Sequence, residues 1–356
     1  MFLGWTHHLA ADLRIRRYAF FPSGAFAVSF INALWREMPR RRNPSDDAEP
    51  IQLPGSPNFP IFPWWQLSPV FRSYTEGDPN SEFIRDLMLC NQASHGLIFN
   101  TFRGLEGPHL DYLANNLGHN RIWPVGPVLQ PGPVDRGGSS SISPDEIHTW
   151  LDSFGDNTVV YICFGSQAVL TNDQMRELTR GLEKSGVKFI LSVKSPTRGH
   201  ANGGEDLGSI PSGFEARTAG RGMLIKGWAP QVTILRHRAV GVFLTHCGWN
   251  SALESIAAGV PMLTWPMGAD QYLNAKLLVE ELGVAVRAWE GAETVPDSDD
   301  VARFLVEATG EEWGERRARA AELGERARDA VREGGESFES LENLVRDLAR
   351  GVLNGS

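Results

Sequence analysis

Residues Trp228 to Gln271 read WAPQVTILRHRAVGVFLTHCGWNSALESIAAGVPMLTWPMGADQ. The middle of this stretch, Val240–Thr245, is an apolar, β-branched run of strand length. It leads straight into His246-Cys247-Gly248-Trp249-Asn250-Ser251, and then into a helix-forming Ala252–Ala258 that Gly259 and Pro261 stop. A strand, a small-residue turn and a helix N-terminus make an anion site. Unpaired backbone N–H groups and the helix dipole converge on one spot, the dipole contributing about 0.3–2 kcal/mol before any hydrogen bond. His246, Asn250 and Ser251 add side-chain donors there. Open α/β sheets bind ligands beyond the carboxyl ends of their strands, where this turn falls. A purely structural reading competes: Ser251 and Glu254 have the S-x-x-E spacing of a capping box, with His246 satisfying a loop carbonyl. Trp228-Ala229-Pro230-Gln231 opens a second strand-to-helix turn. A Trp there either stacks on a flat base, a contact of about 1–3 kcal/mol, or fills the core.

Outward from this stretch, short apolar runs alternate with amphipathic helical segments, as in an α/β protein whose parallel strands are buried on both faces. Strands are predicted at Tyr18–Phe21, Gly96–Asn100, Val159–Phe164, Lys188–Val193, Met223–Ile225, Val240–Thr245, Pro261–Thr264 and Ala285–Arg287. Helices are predicted at Thr171–Ser185, where Met175, Leu178 and Leu182 share a face, and at Leu273–Leu282. A Pro/Gly/Ser-rich stretch marks a linker at 130–143. The expected domains are 1–129, 144–336 and a terminal helix, 337–356. The N-terminal part holds few strands and a long Pro-rich excursion from Pro39 to Pro69. In the last helix Leu341, Leu344, Val345 and Leu348 form one apolar stripe that needs a packing surface.

The chain has 356 residues and a formal net charge of -9. At roughly 100–200 residues per domain, that length suggests two domains. The acidic balance argues against a nucleic-acid partner, which calls for a basic surplus. The apolar run Val159 to Phe164 falls far short of the ~20 residues of a membrane span, and Met1 to Phe20 lacks a signal-peptide core. A cytoplasmic monomer is expected. The cysteines, Cys90, Cys163 and Cys247, are three, with no CxxC spacing, which suits buried thiols better than disulfides or zinc. Asp297-Ser298-Asp299 has the D-x-D form of a metal site, but it precedes a helical Val301–Ala308 and reads as an N-terminal cap. No dinucleotide G-x-G-x-x-G follows a strand, and no P-loop is present.

The stretch from Trp228 to Gln271 resembles, almost position for position, the donor-binding signature of plant family-1 UDP-sugar glycosyltransferases. Val159–Ser166 resembles that family's first C-domain strand and phosphate-side loop, and Tyr272-Leu273-Asn274-Ala275-Lys276 continues its signature. Phe2-Leu3-Gly4-Trp5-Thr6, Pro22-Ser23-Gly24-Ala25 and Pro63-Trp64-Trp65-Gln66 look most like the subgroup acting on flavonoids and other phenols. The resemblance implies a GT-B fold of two Rossmann-like α/β domains with parallel sheets, the N-terminal one incomplete. The C-terminal domain would hold a UDP-sugar and the N-terminal one a small phenolic acceptor. By motif position, Trp228 stacks on uracil, the Ala229 backbone pairs with the base edge and Gln231 lies near the uridine. Ser166, His246, Gly248, Asn250 and Ser251 belong to the diphosphate side, and Glu254 binds the ribose hydroxyls. Trp249, Asp270 and Gln271 contact the sugar, and a terminal Gln leans toward glucose.

The resemblance implies inverting, metal-independent transfer to a hydroxyl, with no cofactor beyond the UDP-sugar co-substrate. The family's catalytic His, and the Asp that orients it, would fall before Met1, so no residue of this chain is assigned as the base. His7 and His8 read as helical surface or half-buried residues. Phe2, Trp5 and Phe21 are candidates for the acceptor pocket, Phe21 in a loop. Arg14 and Arg16 stand where the family usually has Gly and Pro, which removes an easy helix stop. The expected function is UDP-glucose-dependent O-glucosylation of a flavonoid or other phenol. The alternative is a non-catalytic UDP-sugar-binding remnant, or an incomplete gene model lacking the catalytic His and Asp.

Overall fold

The computed structural model describes residues 3–55, 59–129, 140–194 and 208–353. Phe2 and most of the expected linker, 130–139, lie outside the described residues. The chain divides into two compact units. The first comprises Met1–Val128, Gly268–Asn274 and Arg326–Ser356, and the second comprises Leu129–Met267 and Ala275–Glu325.

The first unit begins with α1 (Thr6–Asp12), β1 (Tyr18–Phe21) and α2 (Ala25–Glu37). A short antiparallel pair, β2 (Pro50–Ile51) and β3 (Phe62–Pro63), sits in the Pro-rich excursion. There follow α3 (Pro69–Arg72), α4 (Pro79–Cys90), β4 (Gly96–Phe99), α5 (Arg103–Leu117) and β5 (Ile122–Pro124). Strands β1, β4 and β5 form a parallel sheet in that order, with β1 at one edge. Its core joins Phe21, Val28, Leu97, Phe99, Leu110 and Leu113. Glu106 departs from helical geometry within α5 (φ -130°) and is fully buried, accepting from the amides of Ala25 and Phe26 at 2.9 and 2.8 Å. It thereby satisfies the open N-terminus of α2, which has no side-chain cap of its own.

The second unit runs α6 (Pro144–Asp152), β6 (Val159–Cys163), α7 (Asn172–Ser185), β7 (Lys188–Val193), α8 (Phe214–Arg217), β8 (Gly222–Lys226), α9 (Gln231–Leu235) and β9 (Val240–Thr245). It continues with α10 (Trp249–Ala258), β10 (Met262–Thr264), the end of α11 (Gln271–Lys276), β11 (Ala285–Arg287), α12 (Ser298–Thr309) and most of α13 (Gly314–Val331), the start of α11 and the end of α13 grouping with the first unit. The backbone widens into a π-turn over Leu277–Glu281, inside the predicted helix Leu273–Leu282. All six strands are parallel, in the order β11-β10-β9-β6-β7-β8. That is the doubly wound Rossmann order. The chain enters in the middle at β6, winds outward to β8, and returns to place β9 beside β6. The strand order therefore reverses between β6 and β9, with Cys163 paired in register with Thr245. Burial on both faces explains the continuous apolar strands, every residue of β6 and β9 being buried.

The last helix, α14 (Glu336–Leu353), groups with the first unit, and polar residues anchor it there. Asp347 accepts from Tyr18 Oη (2.6 Å) and lies 3.0 Å from His95 Nε2, while Ser337 Oγ donates to the Gly126 carbonyl at 2.6 Å. The expected apolar packing stripe is only partly realised. Leu344 is buried, but Leu341, Val345 and Leu348 are exposed, because the face carrying Ser337 and Asp347 is the one turned inward. Among the described residues no helix is long and apolar enough to cross a membrane.

Candidate functional site

The site is built at the β6/β9 reversal. After Thr245 the chain turns through Cys247, a buried non-glycine residue with φ 64°, whose amide donates to Thr245 Oγ1 at 3.2 Å. A left-handed residue in the interior costs about 1–2 kcal/mol, so the turn is held by its surroundings. Gly248 is the N-cap of α10, without a side-chain cap, and Ala252 N closes the first helical bond to Gly248 O at 3.0 Å. The amides ahead of Ala252 are the open donors of a helix N-terminus. Asn250 is exposed there, Ser251 is buried, and Trp249 is almost wholly buried.

The loop after β6 lies against the same turn. A Cβ on Gly165 (φ 75°) would come within 2.5 Å of the His246 ring, and a Cβ on Gly248 within 2.5 Å of His246 Nε2. Two glycines thus clamp the imidazole, and Ser166, exposed, follows the first of them. The ring edge is partly accessible, yet protein atoms crowd it closely enough that burial lowers its pKa to about 4. His246 is therefore neutral at pH 7. Its Nδ1 is buried and has no hydrogen-bond partner among the described residues.

Glu254 and Ser251 do not form a capping box. The helix starts at Trp249, so Ser251 already lies in its first turn, and both side chains instead face Gln231 at the start of α9. Gln231 Nε2 donates to Ser251 Oγ at 3.0 Å and to Glu254 Oε2 at 2.8 Å, and its Oε1 accepts from Tyr161 Oη at 3.3 Å. The amide orientation follows from its partners: a carboxylate can only accept, so the NH2 faces Glu254. Tyr161, buried in β6 with its pKa pushed well up by desolvation, went unnoticed in the sequence. Nothing in a strand's apolar pattern marks one residue as the hydrogen-bond partner of a glutamine 70 positions on.

Trp228 is half-buried, with Lys194 Nζ 5.0 Å from its ring centre, a cation–π distance. Ala229 is buried, and its carbonyl accepts from Gln231 N at 2.8 Å. Asp270 and Gln271 belong to Gly268–Asn274, the short segment grouped with the first unit. There Gln271 Oε1 accepts from Gly268 N at 3.1 Å. Asp297 is the N-cap of α12 and accepts from Asp299 N at 2.8 Å, so the D-x-D motif is a helix cap.

The protein-family model described as "UDP-glucoronosyl and UDP-glucosyl transferase" matches residues 138–306. UDP-glycosyltransferase 89B2 of Stevia rebaudiana is 52% identical over 350 residues, covering 98% of this chain and 74% of that protein. The chain belongs to the UDP-glycosyltransferase family. Flavonol 3-O-glucosyltransferase UGT89B1 of Arabidopsis thaliana is 49% identical over 99% of this chain and 73% of that protein. The crystal structure of Arabidopsis thaliana UGT89C1 complexed with UDP-L-rhamnose is similar with a TM-score of 0.74 at 36% identity, over 97% of this chain and 70% of that one. The same enzyme complexed with quercetin gives a TM-score of 0.71 at 34% identity, over 97% and 69%. The two parallel-sheet units are thus those of a GT-B transferase.

In the first unit of this glycosyltransferase Trp5 precedes α1 and is exposed, 44% of its surface facing solvent. Phe21 does not lie in a loop. It ends β1, as the predicted strand Tyr18–Phe21 has it, and is 1% exposed, stacked on Phe99 with ring centres 5.0 Å apart. It supports the sheet from the core rather than lining a pocket. His7 and His8 are on α1, His7 half-buried and His8 exposed.

Proposed function

We propose that this chain binds UDP-glucose at the β6/β9 reversal and serves transfer of glucose to a hydroxyl of a flavonoid or other small phenol, with inversion and without a metal. The hydroxyl proton passes to a base that is not among the residues assigned to this site. The observation that carries the donor half is the Gln231–Ser251–Glu254 network beside the glycine-clamped His246. It places a carboxylate, a hydroxyl, an imidazole and an open helix N-terminus at the carboxyl end of the sheet.

In this reading the diphosphate meets the α10 amides, Ser251 and Asn250, with Ser166 opposite. The negative charge that develops on UDP as the glycosidic bond breaks is met by fixed donors rather than by a metal, donors that need no reorganisation at the moment of reaction. Neutral His246 contributes a hydrogen bond instead of a charge. Glu254, held by Gln231, accepts from the ribose diol, and Trp228 stacks on the base. The acceptor class rests on the likeness to flavonol-acting relatives, and glucose rests on Gln271 closing the signature.

Transfer assays on the purified chain test this directly, with UDP-glucose and UDP-L-rhamnose offered separately to a flavonol in the presence of a chelator. Glucoside formation unaffected by the chelator is expected. Rhamnoside in its place would overturn the donor assignment, and loss of transfer on chelation would overturn the metal-free chemistry. UDP binding with no transfer to any phenol would leave the chain as a UDP-sugar binder.

A further inference from the structure

We propose that His8, Asp86 and Cys90 form a zinc-binding site that fastens α1 to α4. The three side chains converge although they come from distant positions. Asp86 and Cys90 are one turn apart on α4, and His8 reaches them from α1. His8 Nε2 lies 3.0 Å from Asp86 Oδ2 and 3.6 Å from Cys90 Sγ, and Cys90 Sγ lies 3.5 Å from Asp86 Oδ1. One ligand atom from each residue falls within 4.8 Å of the others.

Tetrahedral zinc holds N and O ligands at about 2.0–2.2 Å and S at about 2.3 Å, which sets ligand-to-ligand edges of about 3.3–3.6 Å. The sulfur-to-nitrogen edge already has that length; Asp86 offers Oδ1 to Cys90 at 3.5 Å and Oδ2 to His8 at 3.0 Å, so its carboxylate has to rotate to bring one oxygen to both. Mixed N, O and S ligands suit zinc, whereas magnesium and calcium take oxygen alone. The fourth position faces solvent, since the His8 and Asp86 side chains are 62% and 51% exposed. Arg17 places a positive charge nearby, donating to the Cys90 carbonyl at 3.3 Å. Asp86 and the Cys90 thiolate together outweigh it.

The same geometry argues against a nucleophilic Cys-His-Asp triad. A triad places the thiol on one ring nitrogen and the carboxylate on the other, but here both address Nε2. Two groups on one nitrogen share a single point between them, which is what a cation occupies. Binding displaces the Cys90 thiol proton to solvent, and a neutral His8 keeps its one proton on Nδ1 while Nε2 faces the metal. Helix α1 buries only Ala10, and Arg17 links Thr6 at its start to Asn91 at the end of α4, so the metal would add a second tie between the two helices.

Among the described residues one other group, His148, Asp152 and His237, gathers ligand atoms in this way. There the Ala239 amide donates to His237 Nδ1 at 3.2 Å, which leaves the proton on Nε2, pointing at Asp152 Oδ1 3.2 Å away. That nitrogen is occupied as a donor, so this cluster is a hydrogen-bonded bridge and serves as an internal control.

The test uses the full chain, free of any affinity tag and stripped of metal, titrated with Zn2+ and, for spectroscopy, Co2+. One equivalent of Zn2+ should bind. The Co2+ form should show a near-ultraviolet thiolate charge-transfer band that disappears in Cys90→Ser and persists in Cys163→Ser. His8→Gln should weaken Zn2+ binding by more than the about 10–100-fold typical of losing an outer partner, and His148→Gln should leave it unchanged. Zn2+ should raise the melting temperature of the wild type and not of Cys90→Ser. The metal-free melting curves of these variants show whether each still folds. No stoichiometric Zn2+ binding, or a charge-transfer band that survives Cys90→Ser, would overturn the proposal.

Discussion

At the residue scale the proposed donor site turns on how its polar side chains are held. Gln231 contacts Ser251, Glu254 and Tyr161 at once, which fixes the orientation of the Glu254 carboxylate. Gln231→Leu takes one hydrogen bond each from Tyr161, Ser251 and Glu254, at about 1–3 kcal/mol for a buried group that finds no replacement. Denaturant melts should show that loss, together with weaker UDP binding. His246 carries a pH signature. Histidine in the unfolded chain titrates near 6.5, but burial lowers the folded value to about 4. Between those values the unfolded chain takes up a proton that the folded chain refuses. Stability should therefore be full above about pH 6.5 and fall by at most about 3 kcal/mol as the pH drops toward 4. His246→Gln should flatten this part of the pH–stability curve. Gly165→Ala should abolish UDP binding, since the methyl group meets the His246 ring at 2.5 Å and φ 75° disfavours any side chain.

At the element scale two helix ends give separate predictions. Helix α1 stops in a left-handed residue, Arg14 (φ 54°), with Ile15 N donating back to Ala10 O at 2.9 Å. This is a Schellman-type ending on a residue with a Cβ, and Arg14→Gly should stabilise the chain by about 1 kcal/mol, read from its thermal melt. Asp297→Ala should cost about 1 kcal/mol of stability through the lost α12 cap and leave transfer unchanged. Loss of transfer with unchanged stability would restore the D-x-D motif as a metal site. Most elements were legible in the sequence. Tyr18–Phe21, Lys188–Val193, Val240–Thr245 and Ala285–Arg287 are strands over those bounds, because short apolar runs with aromatic or β-branched residues between breakers have few alternatives. Strand β5 was not, since three residues ending in proline carry no periodicity. The capping-box reading failed for a related reason: S-x-x-E spacing does not reveal that the helix begins two residues before the serine.

At the scale of the whole molecule, strand order does what the motifs alone do not. The sequence presents two loops, after β6 and after β9, some 80 residues apart; the order β11-β10-β9-β6-β7-β8 makes those strands neighbours and brings Gly165 against His246. Such proximity follows from topology and is invisible in spacing, as is the meeting of His8 with Asp86 and Cys90. The family signature assigns Gln231 to the uridine, whereas the structure shows Gln231 bridging Tyr161 and Glu254, a link that no spacing reveals. The most direct test of the donor site is the rise in melting temperature caused by UDP, measured for the wild type, Glu254→Ala and His246→Ala. A clear shift in the wild type, most of it lost in each variant, is the predicted result. Equal shifts in all three proteins would contradict a donor site at the β6/β9 reversal.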